Sequence, residues 1–143
     1  KSELLLFLAS RRENIVHSII PALKEGKIVI CDRFYLSSLV YQGIVRGLDI
    51  DTVLHLNSYV CEDILPDINI VIQLPYEISL DRKLRTSDIN RFDLAGEEFH
   101  RKVQIGFDTL QDLNLPNIEV LDGKQDIETL TQQSLALILK KLK

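Results

Sequence analysis

The stretch "KIVICDRF", residues 27–34, places a run of four apolar residues directly before a charged pair. The run, residues 28–31, carries no polar residue on either face, which is typical of a strand covered by helices on both sides of a parallel sheet. In such sheets ligands bind in the crevice beyond the carboxyl ends of the strands. We therefore predict that Asp32 and Arg33 lie at the edge of a binding crevice.

The remaining chain alternates helical and strand patterns. Helical spacing of apolar residues fills the first 26 residues, where Gly26 is a predicted C-cap, and Asp49 or Asp51 is a predicted N-cap of a later helix. Two further apolar runs, "INIVIQL" and "IEVL", are predicted strands, and each is flanked by helical segments. Parallel neighbours need such crossovers. We predict one α/β domain over residues 1–143, with a parallel sheet flanked by helices.

Composition narrows the class of protein. The 17 basic residues are outnumbered by 21 acidic ones, which gives a net charge of -4 and argues against nucleic-acid or acidic-membrane partners. No run reaches the roughly 18 apolar residues of a membrane span. Cys31 and Cys61 form no framework or metal-ligand spacing and are predicted to be free and buried, and the three histidines are scattered. These features predict a cytoplasmic protein without a dedicated metal cluster.

The opening helix carries one candidate binding face. Phe7, Ser10 and Arg11 are three and four residues apart and so share a side of the helix. A ring, a hydroxyl and a guanidinium on one stripe can stack on a planar base and bind its edge by hydrogen bonds. The alternative is a core Phe beside a solvated Ser–Arg face.

A second candidate group surrounds the predicted strand end. Arg33 can grip a phosphate with two parallel hydrogen bonds, and Asp32 can orient that Arg, act as a base or hold a metal-bound water. Ser38, Tyr41 and Gln42 follow on a short predicted helix. The amide of Gln42 offers a donor and an acceptor, which matches an imide edge. The alternative for Asp32 and Arg33 is a solvated ion pair.

A third candidate group is basic. Arg82, Lys83, Arg85 and Arg91 straddle a polar loop and suit a lid, over about residues 82–95, that closes on a polyphosphate. The alternative for Arg82 and Lys83 is a helix end whose dipole favours cations.

Three segments, "FLASRREN", "PALKEGKIVICDRFYLSSLVYQGIVRGL" and "NRFD", together resemble the bacterial thymidylate kinases. The likeness runs through essentially the whole chain. It implies the fold of the phosphate-loop nucleoside monophosphate kinases, with the N-terminal strands of that fold absent from these residues. It also implies phosphorylation of dTMP to dTDP for dTTP biosynthesis, with ATP as donor, Mg²⁺, and a homodimer.

The resemblance also assigns roles around the base. It implies that Phe7 stacks on thymine and that Arg11 and Gln42 bind the edge of the base. Ser38 then lies near that edge, and Tyr41 lies near the deoxyribose.

Other roles implied by the resemblance concern phosphate groups. Arg33 holds the phosphate of dTMP, and Asp32 belongs to the magnesium and phosphate network, where it would reach the metal through water. Arg82, Arg85 and Arg91 match the basic lid of the family. In this type of enzyme the resemblance implies that the lid supplies the catalytic arginine.

One feature of the family does not occur in these 143 residues. The phosphate-loop motif GxxxxGK[ST] is missing, and the pairs Gly26-Lys27 and Gly123-Lys124 lack its upstream glycine. The chain therefore resembles the acceptor, lid and C-terminal portion of a complete dTMP kinase, and we predict that these residues alone are inactive. Two alternatives remain: a non-catalytic nucleotide-binding or assembly module, and a kinase for another pyrimidine monophosphate.

Overall fold

The computed structural model describes residues 1–84 and 96–142. It forms two compact units, Lys1–Leu65 and Pro66–Lys143, which we call the N-terminal unit and the C-terminal unit. None of the described helices is long and apolar enough to cross a membrane. Arg85 and Arg91 of the predicted lid lie outside the described residues.

The N-terminal unit is helical. Its elements are α1 (Ser2–Asn14), a π-helical turn (Ile15–Ile19), α2 (Ile20–Lys24), α3 (Tyr35–Ser38), a second π-helical turn (Leu39–Val45) and α4 (Ile50–Cys61). The predicted opening helix is confirmed, and its π-helical turn directly precedes α2. Pro21 near the start of α2 has no N–H to donate to the preceding turn, which disfavours regular α-helical bonding there.

The opening helix ends at the predicted glycine. Gly26 adopts φ +73, a left-handed conformation that costs little without a Cβ atom. Its N–H donates to Leu23 O at 2.9 Å, and the N–H of Lys27 donates to Ala22 O at 3.0 Å. These two bonds form the Schellman ending of a helix and satisfy carbonyls that have no partner within it.

The core of the N-terminal unit follows the apolar stripe of the opening helix. Leu4, Leu8, Ile15 and Ile19 are buried at helical spacings. Ile15 and Ile19 form a cluster with buried Cys61 at the end of α4. Burying an aliphatic side chain fully contributes about 1.5 to 3 kcal/mol, so this stripe is a main source of the unit's stability.

The prediction of a buried strand at residues 28–31 is wrong for the described part of the chain. This segment forms no helix and pairs with no strand in the described part of the chain. Val29 packs against the helical core, whereas Ile28 and Ile30 on the other face are 60% and 80% exposed. Cys31 is exposed instead of buried. The apolar pattern requires cover on both faces, and the described residues cover only one.

Helix α4 begins at one of the two predicted caps. The Asp49 carboxylate accepts hydrogen bonds from the Thr52 N–H at 2.8 Å and from the Thr52 hydroxyl at 2.6 Å. These bonds satisfy a backbone donor that has no partner within the helix and place negative charge at the positive helix end.

The C-terminal unit contains a two-stranded parallel sheet. Its elements are β1 (Asn69–Gln73), α5 (Tyr76–Leu84), α6 (Glu97–Thr109), a 3-10 turn (Leu110–Leu113), β2 (Ile118–Asp122) and α7 (Ile127–Lys141). Both strands were predicted, and their parallel pairing confirms the predicted α/β class. The register runs from Asn69 opposite Ile118 to Gln73 opposite Asp122.

A close backbone contact ends this sheet. The N–H of Gly123 donates to Gln73 O at 2.7 Å. A Cβ atom at position 123 would lie only 2.6 Å from the same Gln73 oxygen, so a side chain there would push the strand ends apart. Glycine is therefore required where the chain leaves β2.

Candidate functional site

Arg11 is the centre of a partly buried polar network in the N-terminal unit. Its Nη2 donates to Ser38 Oγ at 2.9 Å and to Phe34 O at 3.2 Å. Its Nη1 donates to Asn57 Oδ1, and its guanidinium lies 5.3 Å from the centre of the Phe34 ring. The structure thus brings Arg11, which is predicted to bind the base edge, into direct contact with Ser38, which is predicted to lie near it, from separate helices.

Asn57 is a member of this network that the sequence analysis missed. It is only 3% exposed, and its Nδ2 donates to Val53 O at 2.7 Å. This bond turns Oδ1 of the amide toward Arg11. A signal was present in the sequence, since Asn57 lies four residues after the buried Val53 and therefore on the apolar stripe of α4, where a polar side chain needs a partner.

The charge of Arg11 is not balanced by these three contacts, because all three acceptors are neutral oxygens. Burial lowers the pKa of the Arg11 guanidinium. The group nevertheless stays charged at neutral pH, because an Arg guanidinium is effectively always protonated in proteins. A guanidinium has five N–H donors, and three are used. Nε and one Nη1 proton can therefore bind an acceptor of a ligand, such as a carbonyl oxygen on a base edge.

Gln42 makes a second, partly buried contact in the same unit. Its side chain is 3% exposed, and Nε2 donates to Glu3 Oε1 at 3.0 Å. Arg46 Nη2 lies 3.7 Å from the other Glu3 oxygen. Glu3 was not singled out in the sequence, because a charged residue in the first turn of a helix has an ordinary explanation in the helix dipole.

Arg33 is held in an unusual backbone conformation beside an aromatic ring. Its φ is 60, which for a residue with a side chain costs on the order of 1 kcal/mol or more. Its guanidinium carbon lies 5.7 Å from the centre of the Tyr41 ring, a cation–π distance. The side chain is exposed, as is that of the neighbouring Asp32. Strained residues cluster at functional sites, so the geometry is consistent with an anion-binding role for Arg33.

Phe7 and Ser10, the other two predicted members of the α1 face, are both exposed. The Phe7 ring is 44% exposed, one helical turn before Arg11. Arg11 itself lies on the buried stripe that continues from Leu8 to Ile15. The predicted face is therefore divided into a partly buried guanidinium and an aromatic ring that is open to a stacking partner.

Arg82 is the lid residue whose side chain the structure describes. Its Nη1 donates to Gly123 O at 2.9 Å and its Nη2 to Lys124 O at 3.4 Å. These contacts tie α5 to the loop that follows β2. Within residues 1–84 and 96–142 there is no group of three His, Cys, Asp or Glu side chains that could hold a metal ion.

The family model and the relatives that match this chain all point to one family. The family model for thymidylate kinase matches residues 1–134. A thymidylate kinase of Clostridium novyi is 37% identical over 135 residues, which cover 93% of this chain and 66% of that protein. One from Chlamydia felis is 41% identical over 129 residues, covering 89% of this chain and 62% of its own length.

A solved structure agrees with these relatives. The crystal structure of thymidylate kinase from Ehrlichia chaffeensis superposes with a TM-score of 0.72 at 33% identity, covering 96% of this chain and 64% of that one. The chain thus spans roughly two thirds of the length of the proteins that it resembles.

Proposed function

Because the chain belongs to the thymidylate kinase family, we propose that the full-length protein transfers the γ-phosphoryl group of ATP to dTMP. The products are dTDP and ADP, and the reaction is a step toward dTTP. The chain contributes the binding site for the monophosphate acceptor.

The observation that carries this proposal is the hydrogen bond of 2.9 Å between Arg11 and Ser38. These residues are 27 positions apart in the sequence, and the family resemblance implies that Arg11 binds the base edge with Ser38 nearby. The network leaves donors of Arg11 available, and the exposed Phe7 ring lies one turn away on the same helix. A planar base with carbonyl oxygens on its edge fits this combination of a stacking ring and directed donors.

Arg33 supports the phosphate end of the proposal. Its exposed guanidinium can form two parallel hydrogen bonds with the phosphate of dTMP. An oxygen of that phosphate attacks the γ-phosphorus of ATP, the bond from this phosphorus to the β,γ-bridging oxygen breaks, and ADP leaves with the bond's electron pair. Such transfers depend on positioning and charge, so we assign Arg33 to fixing the acceptor, and Arg82, Arg85 and Arg91 to neutralising the transferred group.

Magnesium enters this reaction as the complex of the substrate ATP. Mg²⁺ in nucleotide sites is usually held by phosphate oxygens, waters and one or two carboxylates. The exposed carboxylate of Asp32, next to Arg33, suits a contact with such an ion through water. We propose that role for Asp32, with the phosphates and waters supplying the other ligands of the ion.

We also propose that the protein acts as a cytoplasmic homodimer, with no nucleic-acid or membrane partner. Support for a dimer comes from apolar side chains left open in the N-terminal unit. Leu5 and Leu6 on α1 are 57% and 73% exposed, and Tyr59 on α4 is 82% exposed. Support for the reducing cytoplasm comes from the free thiols of Cys31 and Cys61. Sedimentation of the full-length protein tests the assembly.

The function is tested by following ADP formation by the full-length protein with ATP, magnesium and a panel of acceptors. We expect dTMP to be the best acceptor, with dUMP and dCMP weaker and thymidine, which lacks the phosphate, inactive. Preference for dCMP would support a kinase for another pyrimidine. Binding of dTMP without ADP formation would support a non-catalytic module, and either result would overturn the proposal.

A further inference from the structure

The Glu3 carboxylate fixes the orientation of the buried Gln42 amide. An ionised carboxylate has only acceptors, whereas an amide has a donor end and an acceptor end. The contact of 3.0 Å between Glu3 Oε1 and Gln42 Nε2 is therefore favourable in one orientation only. The flipped amide would place two oxygens against each other in a partly buried position, which is costly.

This orientation leaves the Oε1 acceptor of Gln42 available to a ligand. With Nε2 turned to Glu3, the acceptor Oε1 is at the opposite end of the amide. No other side-chain hydrogen bond of Gln42 occurs within the described residues. Arg46 near the second Glu3 oxygen adds an opposite charge that keeps the carboxylate in place.

A fixed acceptor distinguishes pyrimidine bases by their N3 position. Thymine and uracil carry a hydrogen on N3 and donate it, whereas N3 of cytosine is an acceptor. Oε1 of Gln42 can accept from the first two bases and repels the third. A freely flipping amide would serve both kinds of base, because it could present Nε2 instead.

We propose that Glu3 is a positioning residue that sets base specificity by holding Gln42 as an acceptor for the N3–H group of the substrate. This inference rests on the proposed function, since it takes dTMP as the acceptor substrate. Glu3 acts through Gln42 and needs no contact with the base.

The test compares the full-length wild-type protein with Glu3→Gln, using dTMP and dCMP as acceptors. The amide introduced by this substitution can pair with either end of the Gln42 amide, so the preference for one orientation is lost. We expect KM for dTMP to rise about threefold to tenfold with kcat within about twofold, which corresponds to one weakened hydrogen bond. The ratio of kcat/KM for dTMP over dCMP should fall by about tenfold.

A matched control is Glu13→Gln on the same helix. The Glu13 carboxylate pairs with His17 at 3.3 Å, both side chains are more than 70% exposed, and neither belongs to the site. This variant should leave kcat and KM unchanged for both dTMP and dCMP. In a Gln42→Ala background, Glu3→Gln should cause no further change of the ratio, because its effect passes through the missing amide.

A substrate analogue provides a test that is independent of the folding of the Glu3 variant. Wild-type protein should use N3-methyl-dTMP at least about tenfold less well than dTMP, and Gln42→Ala should narrow that difference. Equal use of dTMP and N3-methyl-dTMP by the wild type would overturn the role of Glu3 and leave the proposed function intact. An unchanged ratio of kcat/KM for dTMP over dCMP in folded Glu3→Gln would have the same meaning. A wild-type protein that phosphorylates no pyrimidine monophosphate would overturn the proposed function and this inference with it.

Discussion

The two units use polar side chains in opposite ways. In the N-terminal unit, Ser38, Gln42 and Asn57 are each at most 3% exposed, and each has a hydrogen-bond partner from another helix or turn. In the C-terminal unit the prominent ion pairs join exposed side chains, such as Arg101 with Glu77 and Glu97. Buried polar groups are costly unless they are paired, whereas exposed ion pairs contribute little. The buried network is therefore the part of the molecule that is built for a specific geometry.

The largest effect should come from Arg11→Ala, which removes the centre of that network. The change orphans Asn57 Oδ1 and removes the donor to Ser38, and we expect the free energy of unfolding to fall by about 2 to 4 kcal/mol. Denaturant unfolding of the full-length protein measures it. Lys102→Ala is the control, because Lys102 pairs with Glu98 at 2.7 Å between two exposed side chains and should cost about 1 kcal/mol or less. Equal losses in the two variants would contradict the contrast between buried and exposed contacts.

Arg33→Ala should reduce kcat/KM for dTMP by about tenfold to a hundredfold, because a hydrogen bond to a charged group is worth about 1.5 to 3 kcal/mol. Arg33→Lys should restore only part of the activity, since Lys cannot bind a phosphate with two parallel bonds. Steady-state kinetics with Arg101→Ala as the control decides the question. An unchanged kcat/KM for Arg33→Ala would remove this residue from the site.

Gly123→Ala tests a close backbone contact of the C-terminal unit. The added Cβ would meet Gln73 O at 2.6 Å, and a backbone oxygen cannot move aside without disturbing the sheet. We expect a destabilisation of about 1 to 3 kcal/mol, measured by thermal unfolding. Lys124→Ala serves as the control, because its exposed side chain makes no contribution to this backbone contact. A Gly123→Ala protein as stable as the wild type would show that the strand ends can separate freely.

The smallest effect should come from the helix cap Asp49→Ala, and it should depend on pH. Hydrogen bonds from Thr52 lower the pKa of the Asp49 carboxyl in the folded protein. A lowered folded pKa means that the cap stabilises fully above the unfolded value, roughly pH 4, and loses its effect as the pH falls through the folded value. The melting temperature of the variant should thus be below that of the wild type at pH 7, and the two should converge under acid. A difference that grows under acid would contradict this assignment.

The sequence was sufficient for the features that depend on local pattern. The helices, the two strands of the parallel sheet, and a cap of α4 at Asp49 or Asp51 follow from periodicity and capping chemistry, and the structure shows the cap at Asp49. The family resemblance implied that Arg11 lies at the base edge with Ser38 nearby, and the structure adds the direct contact between them. The single-domain organisation, and the roles assigned to the site residues, remain predictions.

Other features depend on partners that a linear pattern does not specify. The exposure of Ile28 and Ile30 is decided by which elements cover the segment, and apolar residues alone do not reveal that. Glu3 was missed because its partner Gln42 lies 39 residues away in the sequence. Asn57 could have been found, since it is a polar residue on a buried stripe.

Hydrogen exchange of the full-length protein with and without saturating dTMP, in the absence of ATP, tests most directly whether the N-terminal unit binds the acceptor. Ligand contacts slow the exchange of the amides that they stabilise. We predict that dTMP protects peptides covering residues 7–11 and 33–42, and leaves peptides covering residues 97–109 and 127–141 unchanged. Protection confined to the latter peptides, or no protection at saturating dTMP, would contradict the account.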